Sequence, residues 1–411
     1  MSTRLTTAIV AAVLLAATSA AVVVTQRVTS TTDRPGYMGG GTTLLPNGWR
    51  IAPAGRHFSI GDLPLAMTLS PDGHSLIVTD NGHQRPSLKV FDLDHETVAT
   101  VGMDDGWLGL SWHPDGKRLF SSGAASNTVL ELTWDGLRLR AGRKINVAKK
   151  VSPVPAGATR PASAEQTFVG GISTSSDGKR IFAVHVFGQF LSAVDLSTGA
   201  VQTAVDLPAE PYTTLLSHDG DTLFVSLWGG ARVLSFDAWT LAPKASIEVG
   251  EHPNAMAMSP DGRRLFVACA NTNAVWAIDA VTGKATEQIS TALFPKAPPG
   301  STPNSVSVSP DGTRLLVANA DNNAVAMVDI SKPGSSRVLG FIPTSWYPTG
   351  VMFSQDATQI YVLSGKGLAS MANMRGPQAG IAAGEGQYIG ASLEGSLSIL
   401  PTQTTACARA P

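Results

Sequence analysis

The sequence predicts an all-β protein built from one repeated unit, and three observations carry that prediction. A small-polar tetrapeptide stands between two apolar runs seven times: SPDG at Ser70, HPDG at His113, SSDG at Ser175, SHDG at Ser217, SPDG at Ser259, SPDG at Ser309 and SQDA at Ser354. Successive copies lie 43, 62, 42, 42, 50 and 45 residues apart, the spacing of a unit made of several short strands. Within each unit the apolar residues alternate with a period of two, as strands require. Together these predict a seven-bladed β-propeller of four-stranded antiparallel blades.

The fifth repeat, NAMAMSPDGRRLFVACANTNAVWAIDAVTGKATEQIS, reads strand, turn, strand, turn, strand, turn, strand. In its tetrapeptide, Pro260 presets φ for a turn and cannot donate to a ladder. Asp261 can cap nearby backbone, and Gly262 accepts positive φ. First strands are expected near residues 65–70, 107–112, 168–173, 212–217, 254–258, 304–309 and 349–354. Second strands follow as SLIVTD, RLFSSG, RIFAVH, TLFVSL, RLFVAC, RLLVAN and QIYVLS, and third strands as SLKVFD, TVLELT, LSAVDL, RVLSFD, AVWAID, AVAMVD and GSLSIL.

The seventh repeat has no fourth strand after Leu400. The stretch RHFSIGDLP, Arg56–Pro64, resembles KASIEVGEHP at Lys244–Pro253 and precedes the first repeat. It is therefore expected to close the ring by completing blade seven, which also satisfies an otherwise bare sheet edge. Two insertions break the period. Residues 147–166 are rich in Pro, Ala and Ser and read as an exposed loop. Residues 365–392 interrupt blade seven and are long enough to be functional.

Arg4 followed by the uncharged Leu5–Thr25 reads as an export segment, either a cleaved signal peptide or an uncleaved anchor near the length that spans a bilayer. Residues 26–45 read as a flexible linker, 46–400 as the propeller and 401–411 as a disordered tail. Both readings of the leader place the bulk of the chain outside the cytoplasm, in the periplasm or beyond, and a membrane partner is expected only through such an anchor. With 30 basic and 31 acidic residues and no basic run, a nucleic-acid partner is not expected. No CxxCH, GxSxG or GxxxxGK[ST] is present, so no cofactor is expected. Cys269 falls in a buried strand as a small core residue, and Cys407 in the tail.

The runs LFVACANTNAVWAIDAVTGKA, LLVANADNNAVAMVDIS and AMSPDGRRLFV resemble the YVTN-type β-propeller repeat. In addition, LLPNGWRIAPAGRHFSIGDLP, DDGWLGLSWHPDGKRLF, RVLGFIPTSWYPTGV and LSGKGLASMANMRGPQ are similar to the propeller that precedes an alkaline-phosphatase-like phosphoesterase domain in exported bacterial proteins. In that family the metal and nucleophile residues lie in the second domain. The present sequence stops at Pro411, so no residue here inherits that role. The resemblance implies a phosphoesterase as one conceivable partner.

Propeller geometry sorts the loops. The tetrapeptide turns fall on one face. The loops leading into each first strand, and those crossing from second to third strands, fall around the channel mouth on the other, where binding sites gather. Leading loops carry Asp105, Trp107, Tyr212, His252, Asn304, Trp346 and Tyr347. Crossing loops carry His185, Trp228, Asn271, Asn319, Asp321 and Lys366, and Arg375 follows in the long insertion. This mixture suits stacking on a sugar, peptide or small ligand, with Lys366 and Arg375 favouring an anionic one. His185 and His252 are expected to approach one another across the mouth, with Asp105 or Asp321 nearby, but no ligand spacing for a metal is present. The residues point to a binding module with no identifiable catalytic set. A lactonase-like hydrolase and an accessory propeller of a phosphoesterase system are the alternatives.

Overall fold

In a computed structural model, the structure describes residues 35–149, 167–369 and 389–402. They form seven four-stranded antiparallel sheets and one three-stranded sheet. Sheet one comprises Pro64–Leu69, Ser75–Asp80, Ser87–Asp92 and Thr97–Gly102. Sheets two to six follow the same order of inner to outer strands, beginning at Leu110–Trp112, Val169–Thr174, Pro211–Leu216, Pro253–Met258 and Pro303–Val308. Sheet seven is Pro348–Phe353, Gln359–Ser364, Gly395–Pro401 and, outermost, Arg56–Gly61. This is the architecture of a multi-bladed β-propeller.

The hydrophobic core is divided into one packed cluster per seam. Phe182, Val184 and Leu191 of sheet three meet Leu223, Val225 and Phe236 of sheet four. Phe266 and Val275 of sheet five meet Val317 and Val328 of sheet six. The last seam joins the first sheet to the last: Leu76, Val78 and Phe91 pack on Tyr361, Leu363, Leu397 and the clasp residue Ile60. Period-two alternation produces this arrangement, because each sheet has two faces and each face meets a neighbour.

The N-terminal clasp forms as the sequence predicts. Gly61, Ser59, Phe58, His57 and Arg56 pair antiparallel with Gly395, Ser396, Leu397, Ser398 and Ile399. Its far end is tied to sheet one, where the Asp62 amide donates to Asp80 Oδ1 at 2.6 Å and Asp80 also pairs with Lys89 at 3.1 Å. Gly61 is needed there. Its φ is 108°, and a Cβ would lie 2.7 Å from Asp80 Cγ.

The tetrapeptide turns repeat one hydrogen-bond scheme. Ser259 Oγ accepts from the Arg264 amide at 2.9 Å and donates to Asp261 Oδ1 at 2.6 Å, and the Gly262 amide closes the turn on the Ser259 carbonyl at 2.8 Å. The equivalent bond to residues 75, 180, 222, 314 and 359 is 2.9 Å in each case. In sheet two His113 takes the serine's place, Nδ1 accepting from the Asp115 amide at 3.0 Å and Nε2 donating to the Gly178 carbonyl at 2.9 Å. The serine hydroxyl, followed by backbone amides, holds the carboxyls of Asp219, Asp261, Asp311 and Asp356 below their usual range, Asp356 at about 2.

The expected linker over 26–45 is corrected in part. Gly36–Gly39 and Thr42–Leu44 form a hairpin, joined by Arg50–Ile51 into the three-stranded sheet. Gly39, Gly40 and Gly41 make its turn at positive φ, and Thr43, Leu44 and Leu45 are buried. The leader, residues 150–166, most of the second insertion including Arg375, and residues 403–411 including Cys407 lie outside the described residues. Among the described residues no helix is long and apolar enough to cross a membrane.

Candidate functional site at the channel mouth

Two recurring left-handed residues shape the mouth. Leu63, Phe168, His252, Thr302 and Tyr347 each stand immediately before a first strand with φ from 52° to 65°. Four of these residues precede proline, which disfavours the right-handed helical region. This conformation costs a non-glycine residue roughly 1–2 kcal/mol. It is offset by a hydrogen bond: the carbonyls of Phe168, His252, Thr302 and Tyr347 accept from the amides of Val186, Ala270, Ala320 and Gly365 in the crossing loop of the same sheet. In the crossing loops, Asn127, Gln189, Ala231, Asn273 and Asn323 are left-handed in turn, with φ from 48° to 57°. Asn273 Oδ1 accepts from the Gly300 and Ser301 amides at 2.9 and 2.7 Å, and Asn323 Oδ1 from the Tyr347 amide at 2.9 Å. Each such asparagine pins the leading loop of the next sheet. Asn273 and Asn323 thus serve as left-handed turn residues. Asn271 is exposed, and Asn319 is buried and bonded to Thr291.

On this frame the aromatic residues converge. Tyr212 stacks on Trp228 with ring centroids 5.6 Å apart and planes 21° apart. Trp228 stacks on His252 at 4.6 Å and 3°. Tyr212 lies not in sheet four's leading loop, as expected, but second in its first strand Pro211–Leu216; Trp228 comes from the crossing loop of that sheet and His252 from sheet five's leading loop. From sheet seven, Lys366 Nζ lies 4.3 Å from the Tyr347 ring centroid and 5.1 Å from that of Trp346, a cation–π arrangement. Burial, and then the neighbouring Tyr347, push the Tyr212 phenol up to about 12. Burial, and then Asp321, raise that of Tyr347. All six side chains retain partial exposure.

A second cluster joins sheets two and three. Trp107 meets Phe168 edge-on at 5.4 Å, and Phe168 meets the exposed Phe187 at 5.1 Å. Sequence reading missed both phenylalanines. Phe168 was detectable, because it occupies the position of His252 and Tyr347.

The remaining predicted residues have settled partners. Asp105 accepts from the Gly106 and Ser126 amides at 2.9 and 2.8 Å. Asn304 Oδ1 accepts from the buried Asn254 at 3.4 Å, and Asp321 accepts from the Thr302 hydroxyl at 2.5 Å. Beside these predicted residues, Glu210 of sheet four's leading loop accepts from Gln189 at 2.7 Å.

His185 is a correction. It is the last residue of the strand Arg180–His185, fully buried, stacked 3.9 Å from Phe190, with its nitrogens against Thr167 Oγ1 at 2.7 Å and Ser192 Oγ at 3.0 Å. Burial lowers its imidazole to about 3, so it is a neutral core residue. It does not approach His252. Among the described residues no group of three or more His, Cys, Asp or Glu can hold a metal ion. Cys269 is a buried free thiol, pushed up to about 12 by burial.

A groove of about 920 Å³ lies on the opposite face, between sheets six and seven, lined by Asp311, Arg314, Met327, Phe353 and Asp356 among others. Its size does not make it the better site. Asp311 and Asp356 are spent on their own turns, whereas the mouth gathers rings whose polar edges are uncommitted.

No curated protein matches the chain. Among solved structures 1593 chains do, a breadth that marks a fold rather than an activity. One is the hydrazine synthase of Kuenenia stuttgartiensis, at 19% identity and a TM-score of 0.58, covering 73% of this chain and 92% of that one; at that identity the likeness concerns the fold alone. The profile of the YNCE-like β-propeller family matches residues 7–359, which is most of the sequence and nearly all of the ring. The chain belongs to the YNCE-like β-propeller family.

Proposed function

We propose that this propeller is a binding module that takes a small ligand at its channel mouth. The observation that carries the reading is the pair of part-exposed ring groups built there, Tyr212, Trp228 and His252 from sheets four and five and Trp346, Tyr347 and Lys366 from sheet seven. Partly exposed rings offer stacking area at low entropic cost, and their polar edges give orientation. Asp105, Glu210 and Asp321 serve the loops, which favours binding over hydrolysis: a lactonase-like site calls for clustered Glu, Arg and His free to act on substrate. Export is part of the proposal, supported by Arg4 and the uncharged residues 5–25; recovery of the protein in the cytoplasmic fraction would count against it.

The test is a tryptophan-fluorescence titration with sugar lactones and phosphate esters, repeated on Trp228→Ala. A ligand whose affinity falls at least about tenfold in the variant supports the reading. Turnover of a lactone by the wild-type protein defeats it in favour of the hydrolase.

A further inference from the structure

The outermost strand of each sheet is an edge, and six of the seven edges are blunted in two ways. Arg56–Gly61, Leu139–Asn146, Val201–Asp206, Pro243–Glu248, Lys284–Ser290 and Arg337–Pro343 each carry an extra residue that shifts their register on the third strand beside them. Each also holds a charged residue: Arg56, Arg143, Asp206, Lys244, Glu287 and Arg337 respectively. Bulges and charges keep an edge from pairing with another chain. Thr97–Gly102, the edge of sheet one, has neither. It pairs with Ser87–Asp92 without a register shift, from Asp92 opposite Thr97 to Ser87 opposite Gly102. Its sequence, TVATVG, has no charge and no proline, and four of its six residues are β-branched, the type that favours strands. Five of the six are exposed.

We infer that Thr97–Gly102 is a docking edge for a second copy of this chain, the two strands pairing antiparallel about a two-fold axis into one eight-stranded sheet. Such an axis stands perpendicular to the sheet, so side chains that face one another share a side of it. With Ala99 on the axis, Thr97 faces Val101 of the partner subunit and Val98 faces Thr100 of the partner subunit. No charge enters that row, whereas the same operation centred on Lys284–Ser290 would set Glu287 against its own copy. Opposed like charges disfavour a strand pair, and opposed β-branched side chains support one. The edge lies at the rim of the ring, so two rings meet side by side and leave both channels open. Because the strands run antiparallel, the two mouths point in opposite directions. Six residues make a small contact, below the size of a permanent dimer. The association is therefore weak, present at high concentration and lost on dilution.

Sedimentation velocity of the full chain over roughly 1–500 µM, the range of weak interfaces, tests this. A reversible equilibrium between monomer and dimer is expected. Ala99→Lys and Ala99→Glu each alter an exposed side chain and set like charges against one another at the axis. Each is expected to raise the dissociation constant at least about tenfold while the melting temperature persists. An equimolar mixture of the two variants sets Lys against Glu and is expected to restore the dimer. A dimer that survives both substitutions, or variants that mixing does not rescue, overturns the inference. A wild type that stays monomeric throughout also overturns it, and binding of a free TVATVG peptide to that monomer would give the edge to a foreign strand instead.

Discussion

The two faces of the ring treat their polar groups oppositely. On the turn face, one serine, one aspartate and one glycine recur with nearly the same bond lengths, and every carboxylate of that scheme is committed to its own turn. On the mouth face only the backbone frame recurs, a left-handed residue before each of five first strands. The side chains on that frame differ from sheet to sheet: Phe168, His252, Thr302 and Tyr347 hold equivalent positions. Repetition marks what holds the fold, and divergence on a constant frame marks what is available for a ligand.

The sharpest way to break this contrast is at the clasp, which belongs to the scaffold alone. Deleting residues 46–62 removes Ile60 from the core of the last seam and bares the edge of Gly395–Pro401. Ile60→Ala alone is expected to cost about 2–5 kcal/mol, and the deletion to abolish the cooperative melt. An unchanged calorimetric transition would show that the ring closes without its clasp.

Acid separates the core from the turn face next. His185 has its folded pKa lowered to about 3, from an ordinary 6.5. Its contribution is complete above pH 6.5 and is lost as pH falls towards 3, because the unfolded chain takes up the proton first. Asp356, lowered from 3.8 to about 2, adds a loss confined to the window between those values. Denaturant midpoints measured from pH 7 to pH 2 are expected to fall in two stages, and His185→Gln to flatten the first. A profile flat down to pH 4 in the wild type would place charge on His185 in the fold.

Single substitutions then set stability against binding. Ser259→Ala removes a turn cap and is expected to cost about 1 kcal/mol with ligand affinity unchanged; Trp228→Ala is expected to reverse that pattern, losing affinity with a smaller effect on the melt. Equal effects of both variants on affinity would mean the faces are not independent. The smallest expected change is a gain. Ala357 stands where the other turns have glycine and is held at φ 56°, so Ala357→Gly should raise stability by about 0.5–1 kcal/mol in chemical denaturation.

The repeat and the clasp were legible in the sequence, because turn chemistry and period-two alternation are local signals. The clasp needed only the observation that one sheet lacked a strand and one strand lacked a sheet. The mouth was read by position: Tyr212 stacks on Trp228 and Trp228 on His252, while Lys366 lies over Tyr347 and Trp346. His185 was misplaced although RIFAVH was read as a strand, because the pairing His185–Phe190 extends the ladder to its final residue and leaves no loop there. The hairpin over 36–44 was hidden by its glycines, which read as linker until their turn geometry is seen. The pinning of leading loops by Asn273 and Asn323 had no sequence signal at all, since it depends on which loop amides those side chains reach.

The clasp also sets how the ring bears load. Residues 55 and 402 emerge at the same end of an antiparallel pair, Arg56 lying opposite Ile399. A force that draws those two points apart peels the hydrogen-bonded rungs one after another, as a zip opens, instead of shearing them together. The weakest mechanical direction of the molecule therefore runs through sheet seven, the sheet that carries Tyr347 and Lys366, so tension on the ends would reach the mouth before any other sheet yields.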